Sequence, residues 1–388
     1  MKDINSNITN VPETAAINEQ LQPLFMANAS NNEAEITGVK ECGQINSKPR
    51  FIVDSGAVIN DHSGFKKKLL CDGLTFTAGH ACAFSCKFCY VESMIFSKNK
   101  RLQAISQERN LKFKEMCVEI ADAPAKARKY LTRNGSPRFA DETDNRVIFA
   151  SPLVDVAATM SQVNTTVDIC TAVLKLTHWQ IRLLSKSSLL LKVAERIPEQ
   201  YKNRVIYGLS TGTMDSKLTK AFECGTGLVS KRLAALKWLQ DNGYRTYAMI
   251  CPILPQTDYH AFAQSVVQHI NIAKCEHVWA EIMNVRGESL TATMQALRDA
   301  GRNGEADLLE RIANDKTAWE KSARKTFEAL AQVITGDKLR FLQYVNAKSQ
   351  AWWDARIEQG AVVLAKKPRR SRTTVESDDN GLAGETES

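Results

Sequence analysis

The chain has 388 residues, 44% of them hydrophobic, 24% charged and 7% aromatic, ordinary globular usage that excludes a collagenous, coiled-coil or wholly disordered protein. The net charge of +8 tolerates a polyanionic partner without demanding one. No uninterrupted apolar stretch approaches the roughly 18 to 20 residues that span a bilayer, and Met1-Lys2-Asp3-Ile4-Asn5 lacks the basic-then-apolar order of a signal peptide, so no membrane contact and a cytoplasmic location are expected.

Residues 1–40 are rich in Asn, Glu and Ala and read as a disordered arm, followed by an extension over 41–70. From about residue 70 short β-branched or aromatic runs alternate with amphipathic stretches. Six strands are expected: Leu74–Thr77, Arg146–Ala150, Gln180–Leu184, Arg204–Gly208, Tyr244–Ile250 and His277–Ile282. Helices lie between them. One carries Val167, Cys170 and Leu174; another carries Val229, Leu233, Leu236 and Leu239 and is stopped by Asp241-Asn242-Gly243, where glycine takes the left-handed turn. Strand and helix in alternation read as parallel βαβ units, forming either a doubly wound sheet or a full or partial barrel across a core at 71–288. Beyond 288 the pattern reads as helical only, with Trp319, Ala323, Phe327, Leu330 and Ile334 on one stripe. This gives a C-terminal helical extension over 289–360, then a disordered, basic-then-acidic tail over 361–388 containing Lys366-Lys367-Pro368-Arg369-Arg370-Ser371-Arg372.

Ten cysteines without an export signal argue for reduced thiols, and they cluster in one place. The loop after the first strand reads Gly79-His80-Ala81-Cys82-Ala83-Phe84-Ser85-Cys86-Lys87-Phe88-Cys89-Tyr90. The C-x3-C-x2-C spacing lets three thiolates converge on one metal centre. A structural zinc or an electron-transfer cluster normally takes four protein ligands, so three leave a position open for substrate or cofactor. Two other readings stand beside this: a zinc completed by His80, Cys71 or Cys117, and three unrelated core cysteines.

Over most of residues 70 to 290 the chain resembles the radical S-adenosylmethionine (radical SAM) superfamily. Within it the resemblance is to spore photoproduct lyase-like and DNA repair photolyase-like proteins. The segments that carry it are the cysteine triad with Cys89-Tyr90, Ala150-Ser151-Pro152-Leu153-Val154-Asp155, Leu184-Ser185-Lys186-Ser187, Glu223-Cys224-Gly225 with Lys231-Arg232-Leu233, and Cys251-Pro252-Ile253-Leu254-Pro255.

The resemblance implies an α/β fold, a partial (β/α)6 TIM-like barrel with extra C-terminal helices, with reacting groups at the strands' C-terminal ends. It implies a four-iron, four-sulfur (4Fe-4S) cluster on Cys82, Cys86 and Cys89 that reductively cleaves S-adenosylmethionine to a 5′-deoxyadenosyl radical, which abstracts hydrogen from a substrate such as a nucleobase in DNA. The cofactor would be met by Phe88, Ser151, Asp155, Lys186 and Ser210, with Thr211 beside Ser210. Tyr90 would take part in radical or hydrogen transfer. Glu223 and Arg232 are expected to form an internal ion pair, and Asn284 and Arg286 to close the site or meet substrate. A flavodoxin or ferredoxin would supply electrons.

One departure stands out: where the lyase carries a hydrogen-donating cysteine this chain has Pro152, with Cys251 and Cys224 as the nearest substitutes. Trp352-Trp353 near Lys348 and Arg356 offers a stacking surface for nucleic acid. The rival functions are radical modification of RNA, a peptide or a small molecule, and a non-enzymatic, zinc-stabilised nucleic-acid-binding protein. A peptide-modifying maturase is disfavoured by the want of a second cysteine cluster.

Overall fold

A computed structural model describes residues 38–54, 56–150, 152–284 and 288–365. The expected arm up to residue 37, the basic and acidic tail from 366, Ser151 and Arg286 lie outside the described residues.

The core is one parallel sheet. Its strands are β1 (Leu74–Phe76), β2 (Val147–Ala150), β3 (Gln180–Ser185), β4 (Val205–Ser210), β5 (Arg245–Ile253), β6 (Cys275–Ile282), β7 (Leu339–Val345) and β8 (Ala361–Ala365). Each pairs in parallel with its predecessor in the chain, and Ile59–Asn60 adds an antiparallel strand outside β1. Strand order that never reverses, joined by right-handed crossovers, sends every connecting helix to the same face. Such one-way winding differs from that of a doubly wound sheet, and among the described residues the sheet is open, with Ile59–Asn60 and β8 at its edges.

The two faces bear this out. One packs Ile148, Leu183, Tyr207, Ile250 and Phe341 against helices α1 (Met160–Leu176), α2 (Val229–Asp241), α3 (Tyr259–His269) and α4 (Lys316–Ala331). The other gathers Phe149, Ile206, Tyr247, Met249, Trp279, Leu342 and Leu364 with Leu70, Cys71 and Phe65, the last on the short 3-10 turn Gly64–Lys68, and among the described residues no α-helix contributes to this cluster. The segment before β1 therefore plugs the concave face. Buried Arg182 donates to the carbonyls of Leu69 (3.2 Å) and Leu70 (2.8 Å), and Trp279 Nε1 donates to that of Lys68 (2.9 Å). Gly208 makes room for Tyr247 on this face, since a Cβ there would lie 2.2 Å from the ring.

Two expectations are corrected. Residues 289–360 are not helical only, because Leu339–Val345 is a largely buried strand between β6 and β8, and the tail expected from 361 begins as β8. Among the described residues this sheet thus has eight parallel strands rather than six. β7 is buried at five of its seven positions, so it lacks the alternation that marks a half-exposed strand. A further sheet, formed by Val39–Ile45, Lys48–Val53, Cys117–Ile120 and Gly79–Ala81, lies around the start of the cysteine loop. Trp353 is core rather than a surface platform: it is buried, stacks on Phe341 and donates Nε1 to Glu320 (2.7 Å). Trp352 is half-buried, with Arg356 at 3.6 Å and Arg324 at 4.6 Å from its ring centre, so its faces are occupied. Among the described residues no helix is long and apolar enough to cross a membrane.

Candidate active site

The cysteine loop is held from three sides. Gly79–Ala81 pairs with Cys117–Ile120, so closely that a Cβ on Gly79 would sit 2.5 Å from the Val118 carbonyl oxygen. Ser85–Cys86 pairs with Glu223–Cys224, and Lys87 N donates to the Phe222 carbonyl (2.9 Å). From beneath, the buried ammonium of Lys48 donates to the carbonyls of Cys82 (2.9 Å) and Phe84 (2.7 Å). No sequence pattern points to Lys48, which lies 34 residues before Cys82 on another strand.

So held, Cys82, Cys86 and Cys89 line a single cavity of about 180 Å³ together with Phe88, Tyr90, Asp155, Lys186, Ser210 and Cys251. Burial pushes all three thiols up, Cys82 to about 12 and Cys86 well above its ordinary value. Thiols in this setting ionise when a nearby cation stabilises the charge, which is what a metal centre does. Three cysteine thiols on one cavity wall are the donor type that a thiolate-held cluster takes. Among the described residues no three His, Cys, Asp or Glu side chains stand close enough to grip a single ion. His80, Cys71 and Cys117, the proposed completions of a zinc site, do not line this cavity.

The facing wall comes from the C-terminal ends of the strands. Lys186 Nζ, just past β3, donates to Glu223 (2.7 Å), Ser210 Oγ (3.0 Å) and the Cys251 carbonyl (3.0 Å), and stands 5.3 Å from the Phe88 ring centre. Buried Glu223 also meets buried Arg232 at 2.6 Å, off the hydrogen-bonding direction, which is the expected internal pair with Lys186 as an unforeseen third member. Asp155 accepts from Ser185 Oγ (2.7 Å), Lys186 N (2.7 Å) and Ala157 N (2.9 Å). Burial raises its pKa against those bonds. With its oxygens engaged by the chain, Asp155 fixes the loop and the backbone of Lys186. Its own amide donates to Cys82 Sγ at 3.5 Å.

A second cavity, of about 620 Å³, adjoins the first and shares Phe65, Lys68, Phe88, Tyr90, Pro152, Leu153, Cys251 and Glu281 with it. Tyr90 thus faces both spaces; burial, opposed by Lys68, holds its phenol well above its ordinary value. Burial lifts the Cys251 thiol to about 12, aided by Glu281. Pro152 lines both cavities, whereas Cys224 lines neither. Asn284 lines the second and not the first. Thr211 is buried and donates to the Thr213 carbonyl, holding its own loop. At the junction Lys68 and Glu281 form an ion pair that no local sequence pattern indicates.

No family model and no curated protein matches the chain. Among solved structures, spore photoproduct lyase complexed with dinucleoside spore photoproduct is similar at a TM-score of 0.44 and 13% identity, over 64% of this chain and 66% of that one. The match therefore spans just under two thirds of that protein. SuiB of Streptococcus suis bound to the precursor peptide SuiA is similar at a TM-score of 0.32 and 10% identity, over 61% of this chain and 46% of that one. These likenesses are faint, and the chemistry rests on the residues themselves.

Proposed function

We propose that this chain is a radical SAM enzyme. The observation that carries the proposal is the meeting of Cys82, Cys86 and Cys89, from one loop, with Asp155, Lys186 and Ser210, from strand ends, around one cavity that adjoins a larger one.

The three cysteines would hold a 4Fe-4S cluster and leave one iron for S-adenosylmethionine. When bound, these groups would supply one-electron cleavage of the sulfonium and hydrogen-atom abstraction from a substrate. The protein's part is to hold, orient and exclude water. Lys48 anchors the loop carbonyls. Lys186, balanced by Glu223, offers an ammonium to a carboxylate or ribose oxygen, and Ser210 a hydroxyl beside it. Phe88 forms an apolar wall, T-stacked on Phe222 at 5.7 Å. Tyr90 and Cys251 are the groups with a transferable hydrogen between the two spaces.

The second cavity is the substrate's place in this reading, and its size suits a nucleobase or a comparable ring. Repair of a modified base in DNA is the finer proposal, resting on the motif resemblance. A flavodoxin or ferredoxin is the proposed electron donor.

Anaerobic reconstitution of the full chain tests the reading. About four irons per chain with equal acid-labile sulfide and a broad brown absorption support it. One zinc, no iron and no visible band favour the zinc-stabilised binding protein and overturn it.

A further inference from the structure

The second cavity is walled by Phe65, Phe88, Tyr90 and Tyr344 and by neutral polar side chains such as Thr75 and Asn60; among the described residues its only charged lining side chains are Lys68 and Glu281. They face each other, with Lys68 Nζ 2.8 Å from both carboxylate oxygens and side chains only 16% and 12% exposed. A pair so buried carries a large desolvation cost and is weak as a source of stability. It is not needed to pin the plug segment, which Arg182 and Trp279 already hold through the backbone carbonyls of residues 68–70.

We propose that Lys68 and Glu281 recognise the edge of a cis-amide, as in a lactam or imide ring, and so set the substrate class of this cavity; this rests on the second cavity being the substrate's. An ammonium has three N–H donors, and the two carboxylate oxygens engage two of them. One donor is left beside carboxylate lone pairs, with the Tyr344 ring centre 5.7 Å from Nζ as its one weak competitor among the described residues. A cis-amide presents the complement on neighbouring atoms, a carbonyl to accept and an N–H to donate. The pair is neutral as a unit, so an anionic or cationic group gains from one partner what it loses to the other. Aromatic walls favour a flat ring. Both residues also line the thiol cavity, so a ring seated on them lies at the junction of the two spaces.

The same edge occurs in pyrimidine bases and in cyclic dipeptides, and the test separates them. The full chain is titrated with thymidine and with 2,5-diketopiperazine, each beside its N-methylated form, 3-methylthymidine and 1,4-dimethyl-2,5-diketopiperazine, with binding read by saturation-transfer NMR. The proposal expects at least one N–H probe to bind at least tenfold more tightly than its methylated form. Preference for thymidine assigns a nucleobase source, and preference for diketopiperazine a peptide-derived one. The Lys68→Met, Glu281→Leu double variant removes both charges together and should shrink the discrimination below twofold. Should that variant fold poorly by circular dichroism, the discrimination in the unaltered protein alone decides. Equal binding of each probe and its methylated form, absence of binding by both N–H probes, or undiminished discrimination in a folded double variant overturns the proposal. Iron and 5′-deoxyadenosine are measured on the same preparations: probe discrimination without either would sink the radical SAM reading alone, whereas cofactor cleavage without discrimination would sink only the lactam reading.

Discussion

Replacing Lys48 by methionine probes what shapes the cysteine loop. The change keeps most of the aliphatic stem and removes the ammonium bonded to the Cys82 and Phe84 carbonyls at 2.9 and 2.7 Å. Hydrogen bonds to a charged group contribute about 1.5 to 3 kcal/mol each, and a buried carbonyl left unpaired costs about 1 to 3 kcal/mol. Against this stands the cost of burying the charge, seen in the lowered pKa of Lys48, where desolvation outweighs the pull of the nearby cysteines. The balance is a loss of about 2 kcal/mol. With an unfolding entropy of about 2.1 cal/mol/K per residue over some 350 residues, that is a fall in Tm of about 3 °C. Calorimetric melts of the two proteins measure it, and hydrogen exchange shows where the loss falls, with protection decreasing over residues 82–90 and unchanged in α2. A Tm within 1 °C of the parent and unaltered exchange over 82–90 would refute the anchoring role.

Cys82→Ala, Cys86→Ala and Cys89→Ala should each lower iron after reconstitution from about four per chain to below one, whereas Cys170→Ala, deep in the helix-covered core, should keep it; iron and sulfide analysis decides. Lys186→Ala should leave iron unchanged and weaken S-adenosylmethionine binding about ten- to a hundredfold, the equivalent of one charge-assisted hydrogen bond, in an equilibrium titration. His277, half-buried beside Arg340 and Arg182, has its pKa lowered from 6.5 to about 4, chiefly by burial. The folded state thus favours the neutral ring, and stability present above pH 6.5 is lost as pH falls toward 4. Discounted for its partial exposure, the loss between pH 7 and 5 is about 1 kcal/mol, and His277→Gln should flatten that part of the stability-pH curve in denaturant titrations.

Local features were legible in the sequence and tertiary ones were not. The cysteine spacing, the strands β1 to β6 and the turn at Gly243 are written in contiguous residues, and the structure has each of these strands and a left-handed Gly243. β7 was hidden because Leu339, Phe341, Leu342 and Val345 are all buried, leaving no polar alternation, and because it follows a convincing helical stripe in α4. β8 was hidden by the basic run next to it. Lys48 and the Lys68–Glu281 pair act across 34 and 213 residues, and no local pattern records such contacts. The Trp352-Trp353 pair shows the opposite error, since two adjacent aromatics near cations look like a nucleic-acid platform until Phe327 and Phe341 are seen to claim them for the core.

The most direct test of the central claim is formation of 5′-deoxyadenosine from S-adenosylmethionine by the anaerobically reconstituted chain after reduction with dithionite, followed by liquid chromatography and compared with Cys89→Ala. The account predicts 5′-deoxyadenosine from the unaltered protein and none above background from the variant. No product from a protein carrying about four irons, or equal product from both proteins, would contradict it.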